Sequence, residues 1–320
     1  MLKHFDDFLL YLKTNNYSEQ TIANYERDLA MFSSYFVEQG TSFDDLSVKD
    51  IERYKAYLRS RDRETLQEID DDSKVTKVTS EHEPLSVSSI NRMLSSFRSY
   101  LKYLTKHGHN TPLSRDEIEL IRAPRKKAQV AELKDIIRLV EAPTELEKRE
   151  KIALRNRAIL EVLLATGMRI SELVQLDRKQ VDDSGSIFIE GKGRKERFVY
   201  LTPRAKHHLD EYLSAREDNS PALFVPFGGR YKDDPKKRLT KSYIQKKINE
   251  YVNRLGINVP TSAHSLRHAY GTYLAEKGAS PVAIQILLGH ESPSTTDRYI
   301  HASDRFAKEQ HKKHHPLYED

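Results

Sequence analysis

The chain reads His-Ser-Leu-Arg-His at 264–268, Leu-Gly-His at 288–290 and Thr-Thr-Asp-Arg-Tyr-Ile-His at 295–301. His264 and Arg267 are three residues apart, so they share one face if the first segment is helical. Pro281 and Pro293 separate this helix from the later segments, because proline interrupts helices. Two histidines, an arginine and a tyrosine therefore follow one another in an order that suits phosphate chemistry. This interpretation requires more cations and a DNA-binding body elsewhere in the chain.

The composition bounds the class of protein. The chain has 320 residues, 38% of them hydrophobic and 32% charged, which is long enough for two domains with separate cores. No apolar run reaches about 18 residues, and the acidic N-terminus does not resemble a signal peptide. The absence of cysteine excludes a disulfide framework, a cysteine nucleophile and a thiolate metal site. We expect no membrane association and a cytoplasmic location.

The distribution of charge indicates a polyanionic partner. The formal net charge is only +5, but basic residues crowd 122–127 and 236–247, whereas acidic residues crowd 62–72. Basic patches on an otherwise balanced protein are typical of nucleic-acid binding. For any one run taken alone, a solvated helix face is an equally good interpretation.

The first part of the chain predicts a helical domain over residues 1–110. Apolar residues recur with helical spacing over 5–12, after the N-cap Ser18, after Ser47 and over 86–105. The polar, acidic stretch 61–84 shows no periodicity, and we expect a flexible surface excursion there, with a partner-contacting loop as the alternative. Residues 111–129, basic and containing proline, are predicted to be a linker that can lie against a phosphate backbone.

The second part, residues 130–320, predicts a mixed α+β domain. Helical patterns cover 132–141, 150–166, 169–177, 202–216, 240–256, 262–277 and 281–288, while 186–190 and 197–201 are β-rich runs joined by a glycine-containing turn. The fold class is therefore mainly α with a small β-hairpin or sheet, in two domains, one helical and one mixed α+β. The polar tail from Lys308 to Tyr318 is expected to form a last helix that frays or packs on a neighbouring subunit.

Six residues make up the candidate catalytic set, and a seventh supports it. The six are Arg169, Lys192, His264, Arg267, His290 and Tyr299, and the supporting residue is Glu172, one helical turn after Arg169. Two arginines can fork onto one phosphodiester and stabilise a pentacovalent transition state. Histidine can move a proton near neutral pH, and a lysine among cations can protonate a leaving oxygen. Tyrosine, with a free pKa of about 10, needs such a cationic site to act as a nucleophile.

This set supports transesterification without a metal or another cofactor. The missing acid clusters argue against two-metal nuclease chemistry. Each residue has a simpler interpretation when taken alone: Tyr299 as a packed tyrosine, Arg169 as a salt-bridge partner of Glu172, and Lys192 as an ordinary turn lysine. His268 is expected to pack in the core rather than to react.

Five motifs in the same order and spacing resemble the tyrosine site-specific recombinases. They are Gly-Met-Arg-Ile-Ser-Glu-Leu (167–173), Gly-Lys-Gly (191–193), His-Ser-Leu-Arg-His (264–268), Leu-Gly-His (288–290) and Thr-Thr-x-x-Tyr (295–299). His-His-Pro at 314–316 resembles the tail of the Xer branch. The helical domain resembles the family's core-binding domain through Tyr25-Glu-Arg-Asp-Leu29 and Ser89-Ile-Asn-Arg92. The resemblance implies a two-domain DNA clamp, with a helical core-binding domain and a mixed α+β catalytic domain. The long excursion at 61–85 departs from the Xer pattern, which leaves the subgroup open.

The resemblance implies a role for each residue of the set. Tyr299 would be the nucleophile that forms a 3′-phosphotyrosyl link and frees a 5′-hydroxyl. Arg169 and Arg267 would hold the scissile phosphate, and Lys192 would be the general acid for the leaving oxygen. His264 would act as an acid/base or as a hydrogen-bond donor to the phosphate, and His290 would position the phosphate.

Contacts with DNA are predicted on two helices and on the linker. The candidates are Ser88, Ser89, Asn91 and Arg92, then Arg125, Lys126 and Lys127, then Lys241, Ser242 and Gln245. The alternative for each helix is a solvated face.

The resulting hypothesis is a recombinase that cuts and rejoins duplex DNA through a Holliday junction, resolving chromosome or plasmid dimers at cell division. Its partners would be double-stranded DNA, identical or paralogous subunits in a tetramer on DNA, and an FtsK-type DNA translocase. Three alternatives stay open: an integrase of a phage or mobile element, a type IB topoisomerase-like enzyme, and a catalytically silent architectural protein.

Overall fold

The computed structural model describes residues 2–60, 84–122, 131–190, 196–228, 237–289 and 308–318, with the backbone alone at 62–69, 74–83 and 190. The chain divides into two compact units, Met1–Lys126 and Lys127–Asp320. The domain boundaries given above, with a separate linker at 111–129, stay a prediction. Each unit has a hydrophobic core of its own.

Four helices build the first unit, as the apolar spacing predicts. They are α1 (Phe5–Thr14), α2 (Glu19–Glu38), α3 (Val48–Ser60) and α4 (Val87–Lys106). Two of them begin at serine caps: the side chains of Ser18 and Ser86 each accept a hydrogen bond from a backbone N–H in the first turn of α2 and α4. The inward faces carry aromatic rings, and Phe32 of α2 stacks on Phe97 of α4 with 3.9 Å between ring centroids.

The stretch 61–84, where the sequence shows no periodicity and we expect a flexible surface excursion, contains two strands. Strand β1 (Asp62–Ile69) pairs with β2 (Lys74–Pro84) as an antiparallel hairpin, in a register that sets residue 66 opposite residue 77. The physical reason is visible in the sequence Lys-Val-Thr-Lys-Val-Thr at 74–79, where β-branched residues recur with a local preference for extended backbone. Acidic composition alone does not prevent strand formation.

The second unit is built around one buried helix. Its elements are α5 (Leu133–Leu146), α6 (Glu150–Thr166), α7 (Ile170–Leu173), β3 (Ser186–Glu190), β4 (Glu196–Tyr200), α8 (Pro203–Ser214), α9 (Lys241–Leu255), α10 (Ala263–Glu276) and α11 (Pro281–Leu288). Every residue of α6 from Arg155 to Thr166 is buried, so α6 is the central helix of the unit. The predicted hairpin is confirmed, because β3 and β4 pair antiparallel. The mainly helical fold class is confirmed as well.

Two predicted segments differ in detail. The helix expected over 169–177 ends at Leu173, and it cannot extend to 177 because Asp177 forms an isolated β-bridge with Ala222. The tail forms a helix over 308–314 and packs against its own unit, where His311, His315 and Leu317 are buried. Among the residues that the structure describes, every helix is too short or too polar to span a membrane.

Candidate active site

Arg169 owes its position to the way in which α6 ends. Gly167 caps α6 in the left-handed region, with φ of 60°, and turns the chain so that Arg169 precedes the first turn of α7. The carboxylate of Glu172 then reaches back to Arg169. Its Oε2 accepts from the Arg169 backbone N–H at 2.7 Å, and its Oε1 accepts from Arg169 Nη1 at 2.9 Å. Glu172 therefore holds both the backbone and the guanidinium of Arg169.

A second arginine, Arg197 of β4, binds the same carboxylate. Arg197 Nη1 donates to Glu172 Oε1 at 3.0 Å and Nη2 donates to Oε2 at 2.7 Å, a bidentate fork. Burial would raise the pKa of Glu172, but the hydrogen bonds and charges of Arg197 and Arg169 outweigh it and lower that pKa below its usual value. Glu172 is thus an ionised, buried anion at neutral pH.

Three consecutive carbonyl groups at the C-terminal end of α11 each accept a hydrogen bond from a different arginine. Leu287 O accepts from Arg197 Nε at 3.1 Å, Leu288 O accepts from Arg267 Nη2, and Gly289 O accepts from Arg169 Nη2 at 3.3 Å. The end of a helix carries partial negative charge, so this arrangement is favourable for cations. It fixes the chain immediately before residue 290.

Arg267 of α10 is buried and joins two of these segments. Its Nη1 donates to Gly167 O at 2.8 Å, while its Nη2 binds the end of α11. Burial, together with the charges of Arg169 and Arg197, lowers the pKa of Arg267 to about 10. The guanidinium therefore remains protonated at neutral pH, held by neutral carbonyls in a cationic neighbourhood.

His264 lies one turn before Arg267 on the same helix and is exposed. Partial burial, and then the neighbouring His268, Arg267 and Arg169, lower the pKa of His264 below its ordinary value. Its ring contacts that of His268 edge to face, with 4.5 Å between centroids. The expectation that His268 packs in the core is wrong: this side chain is exposed beside His264, because α10 turns the same face outward at both positions.

Comparison with known proteins decides which family contains this arrangement. The sequence profile of the phage integrase family matches residues 126–305, and that of its N-terminal SAM-like domain matches residues 5–69 and 48–108. The first match alone covers more than half of the chain. The chain belongs to the phage integrase family.

Relatives from this family, the tyrosine recombinases, extend over almost the whole chain. Tyrosine recombinase XerC of Pelobacter propionicus is 33% identical over 97% of this chain and 94% of its own length. Tyrosine recombinase XerD of Staphylococcus haemolyticus is 32% identical over 93% of both chains. The resemblance to tyrosine recombinases that the motifs indicate is confirmed.

Solved structures share the fold. The XerH site-specific recombinase in a post-cleavage complex with palindromic difH substrate superposes with a TM-score of 0.64 at 20% identity, covering 91% of this chain and 81% of that one. A λ integrase tetramer bound to a Holliday junction gives a TM-score of 0.64 at 15% identity, covering 91% and 77%.

The structure brings four members of the predicted set together: Arg169, Glu172, His264 and Arg267. Lys192, His290 and Tyr299 lie outside the described residues. Sequence reasoning missed Arg197, which appears in the sequence as one more base after Arg194 and Lys195. Its signal is the register of β4, because Arg197 is buried whereas Glu196 and Phe198 on either side are exposed.

The predicted DNA contacts on α4 differ in how far the side chain is open to solvent and how far it is bound within the protein. Ser88 is exposed, and the Arg92 guanidinium, 40% exposed, binds the buried Asp28. The Asn91 amide is engaged within the protein, since it donates to Ile121 O at 2.8 Å and accepts from Ile121 N at 2.8 Å. A base contact from Asn91 would have to break both bonds.

The remaining DNA-contact candidates are placed as follows. Ser89 is half-buried next to the α4 cap, whereas Lys241 and Ser242 are exposed at the start of α9. Gln245 forms hydrogen bonds with Asn249 and with the backbone of Ala263. The linker candidates Arg125, Lys126 and Lys127 lie outside the described residues.

Metal ligands are not clustered around these arginines within the described part of the chain. There, Glu172 is the carboxylate that they share. The described residues whose ligand atoms could converge on one ion are His207, His208 and Glu211 of α8, which holds none of the predicted catalytic residues.

The tail packs on the end of α6, the helix that precedes Arg169 in the chain. His311 Nε2 donates to Ala165 O at 2.6 Å and His315 Nε2 donates to Leu164 O at 3.3 Å, so both rings bind the last turn of α6. Burial lowers the pKa of His311 to about 4 and, with the neighbouring His311, that of His315 to about 3. Both rings are therefore neutral near pH 7.

Proposed function

We propose that the chain is a site-specific DNA recombinase that cuts and rejoins strands through a 3′-phosphotyrosyl intermediate on Tyr299. The observation that carries the proposal is the cluster of Arg169, Arg267 and Glu172, assembled from segments about a hundred residues apart in a chain of the phage integrase family. Membership of the family supports the reaction class, and the cluster of cations supports binding of the phosphate at this point.

The charge of the cluster suits a phosphodiester in its transition state. Arg169, Arg197 and Arg267 carry three positive charges against the single negative charge of Glu172, which leaves +2. A pentacovalent phosphorane gains a negative charge relative to the diester, so fixed cations stabilise it more than the ground state. The Arg169 side chain is 40% exposed, against 8% for Arg197, which supports a direct contact between Arg169 and the phosphate.

The catalytic roles follow from the chemistry of each group. Arg169 and Arg267 hold the non-bridging oxygens, and the mostly neutral imidazole of His264 exchanges a proton or donates to the phosphate. Lys192, between β3 and β4, protonates the departing 5′-oxygen. His290, directly after Gly289, positions the phosphate, and Tyr299 attacks it. The neutral imidazole of His264 accepts the Tyr299 proton as the P–O bond to tyrosine forms and the P–O bond to the 5′-oxygen breaks.

Conservation of bond energy removes the need for a nucleotide cofactor. The tyrosyl phosphodiester replaces the DNA phosphodiester, and attack by a 5′-hydroxyl from the partner duplex restores it. The residues that would act, arginine, lysine, histidine and tyrosine, are those of metal-independent transesterification.

The biological role that we propose is resolution of chromosome or plasmid dimers. Its support is the extent of the match to relatives named XerC and XerD, which spans nearly the full length of both chains. The partners in this proposal are double-stranded DNA, four subunits on two duplexes, and an FtsK-type translocase that stimulates exchange. Exposed Ser88, Arg92, Lys241 and Ser242 contribute the DNA contacts together with the basic segment at 125–127. Integration of a mobile element uses the same chemistry and is the alternative.

A nicked suicide duplex tests the proposal. The duplex carries the sequence that the protein itself selects from a random library, with a nick beside the scissile phosphate so that the freed end diffuses away. We expect a covalent protein–DNA adduct with the wild-type protein and none with Tyr299→Phe at equal DNA affinity. Tight binding by the wild-type protein without an adduct would contradict the proposal and favour an architectural role.

Two-site substrates separate the remaining alternatives. Exchange between two copies of the selected site on one plasmid supports recombination, and stimulation by a translocase supports dimer resolution. Relaxation of supercoils without exchange would instead indicate a topoisomerase-like enzyme.

A further inference from the structure

Arg197 differs from Arg169 in its exposure and from Arg267 in the groups that it binds. Its side chain is 8% exposed, against 40% for Arg169, and all three of its nitrogen atoms donate within the protein. Arg267 is also buried, but it donates to two backbone carbonyls, whereas the two terminal nitrogens of Arg197 form a fork on the carboxylate of Glu172. Because this carboxylate takes the fork that would otherwise bind a phosphate, an effect of Arg197 on the reaction passes through the groups that it binds.

The main such group is the carboxylate of Glu172, which two arginines share. A carboxylate offers about four acceptor positions, two on each oxygen. Arg197 takes one position on each oxygen, and Arg169 takes the other two with its Nη1 and its backbone N–H. Because Arg197 occupies the fork, Glu172 cannot bind both terminal nitrogens of Arg169 at once. The Nη2 of Arg169 turns instead to Gly289 O.

The same side chain also fixes the chain before residue 290. Arg197 Nε holds Leu287 O, and the guanidinium packs on Gly289, where a Cβ would lie 3.0 Å from Nη1 and 3.1 Å from Cδ. Gly289 has φ of 61°, a conformation that glycine adopts without strain. Through Arg197, strand β4, the start of α7 and the end of α11 therefore have one common anchor.

We propose that Arg197 is a positioning residue for strand cleavage. It keeps Glu172 from enclosing the Arg169 guanidinium, so that Arg169 stays directed at the phosphate, and it holds the segment that leads to His290. This inference rests on the proposed function. It concerns a residue outside the predicted catalytic set.

The test is a double-mutant cycle on cleavage, with DNA affinity measured separately. Arg197→Gln, Glu172→Gln and the double variant are compared with the wild-type protein in single-turnover cleavage of the selected suicide duplex. Arg197→Lys keeps the charge but loses the fork. Arg216→Gln is the matched control, because Arg216 is also a buried arginine with a bidentate carboxylate partner, Asp218. Circular dichroism establishes that each variant is folded at the assay temperature.

A positioning role predicts a selective loss of rate. Displacement of a catalytic group by about 1 Å can cost roughly 10²-fold in rate, so Arg197→Gln should cleave about 10²-fold more slowly at unchanged DNA affinity. Arg197→Lys should be intermediate, and the double variant no slower than the slower single variant, because both changes act on one contact. The Arg216→Gln protein should cleave at the wild-type rate.

Two outcomes would overturn the inference while leaving the proposed function intact. In the first outcome, the wild-type protein is active and the Arg197→Gln protein cleaves as fast as the Arg216→Gln protein. The other is multiplication of the two single-variant effects in the double variant, which would mean that Arg197 acts independently of Glu172. Absence of an adduct with the wild-type protein would refute the proposed function itself, and the role of Arg197 with it.

Discussion

Substitution of Gly167 by alanine should destabilise the second unit more than the same change at a matched glycine. Gly167 and Gly256 both end helices with nearly equal φ, 60° and 65°. At Gly256 a Cβ would meet no atom within 4 Å, whereas at Gly167 it would lie 2.4 Å from Cδ1 of the buried Tyr270 ring. The pair therefore separates the cost of the backbone conformation from the cost of the steric clash.

The expected magnitudes follow from these two terms. A non-glycine residue in the left-handed region costs about 1–2 kcal/mol, and this cost applies to both variants. Forcing extra atoms into a packed core adds about 1–3 kcal/mol, and this cost applies only to Gly167→Ala. We expect a loss of about 1–2 kcal/mol for Gly256→Ala and of about 2–5 kcal/mol for Gly167→Ala.

Hydrogen exchange of the amides of α6 measures the free energy of opening of the second unit in the full-length chain. The α6 amides should exchange roughly 5- to 150-fold faster in Gly167→Ala than in Gly256→Ala, which corresponds to the extra 1–3 kcal/mol or so. Equal exchange rates in the two variants would refute the reasoning, because they would mean that the Tyr270 ring moves aside at no cost.

Two further predictions concern the tail and α4. The pKa values of His311 and His315 are depressed in the folded chain, so the docking of the tail has its full stability above about pH 6.5 and weakens as the pH falls through 6 towards 4. The loss is up to about 1.4 kcal/mol per pH unit for each ring that is protonated only when the tail is undocked. Exchange of the 308–318 amides, corrected for intrinsic rates, should show this weakening, and protection that does not change with pH would contradict it. Asn91→Ala should destabilise the first unit by about 1–2 kcal/mol through loss of both bonds to Ile121, whereas Ser88→Ala should be neutral in chemical denaturation. Equal midpoints for these two variants would argue against a structural role for the amide.

The sequence predicts much of the fold because its local signals agree with the packing. Ser18 and Ser86 cap helices, Thr202 followed by Pro203 opens α8, and the apolar spacing of α4 places its buried face. The segment 61–84 shows where composition misleads. Its acidic residues favour a loop, but the backbone pairing depends on β-propensity and on the partner strand, which a count of charges does not include.

The site was predictable as a set of residue types but not as a network. Arg169 and Glu172 are three residues apart, so their pairing follows from helical geometry. The pairing of Glu172 with Arg197 crosses 25 residues, and the bond from Arg197 to Leu287 crosses 90. Such contacts depend on how α7, β4 and α11 pack together, and no local pattern specifies that packing.

The docking of the tail has the same origin. His311 and His315 lie in a polar, lysine-rich segment, for which the sequence predicts a helix that frays or packs on a neighbouring subunit. Their burial depends on acceptors at the end of α6, Leu164 and Ala165, about 150 residues earlier. Neutral imidazoles can be buried when a carbonyl accepts their N–H, and this condition is visible only in the folded chain.

The most direct test of the central claim is identification of the amino acid that becomes linked to DNA. The wild-type adduct formed on the suicide duplex is digested with nuclease and protease, and the peptide that retains a nucleotide is sequenced by mass spectrometry. The account predicts a single site, Tyr299, joined to a 3′-phosphate, with a free 5′-hydroxyl on the released strand. Linkage to any other residue, or to a 5′-phosphate, would contradict it.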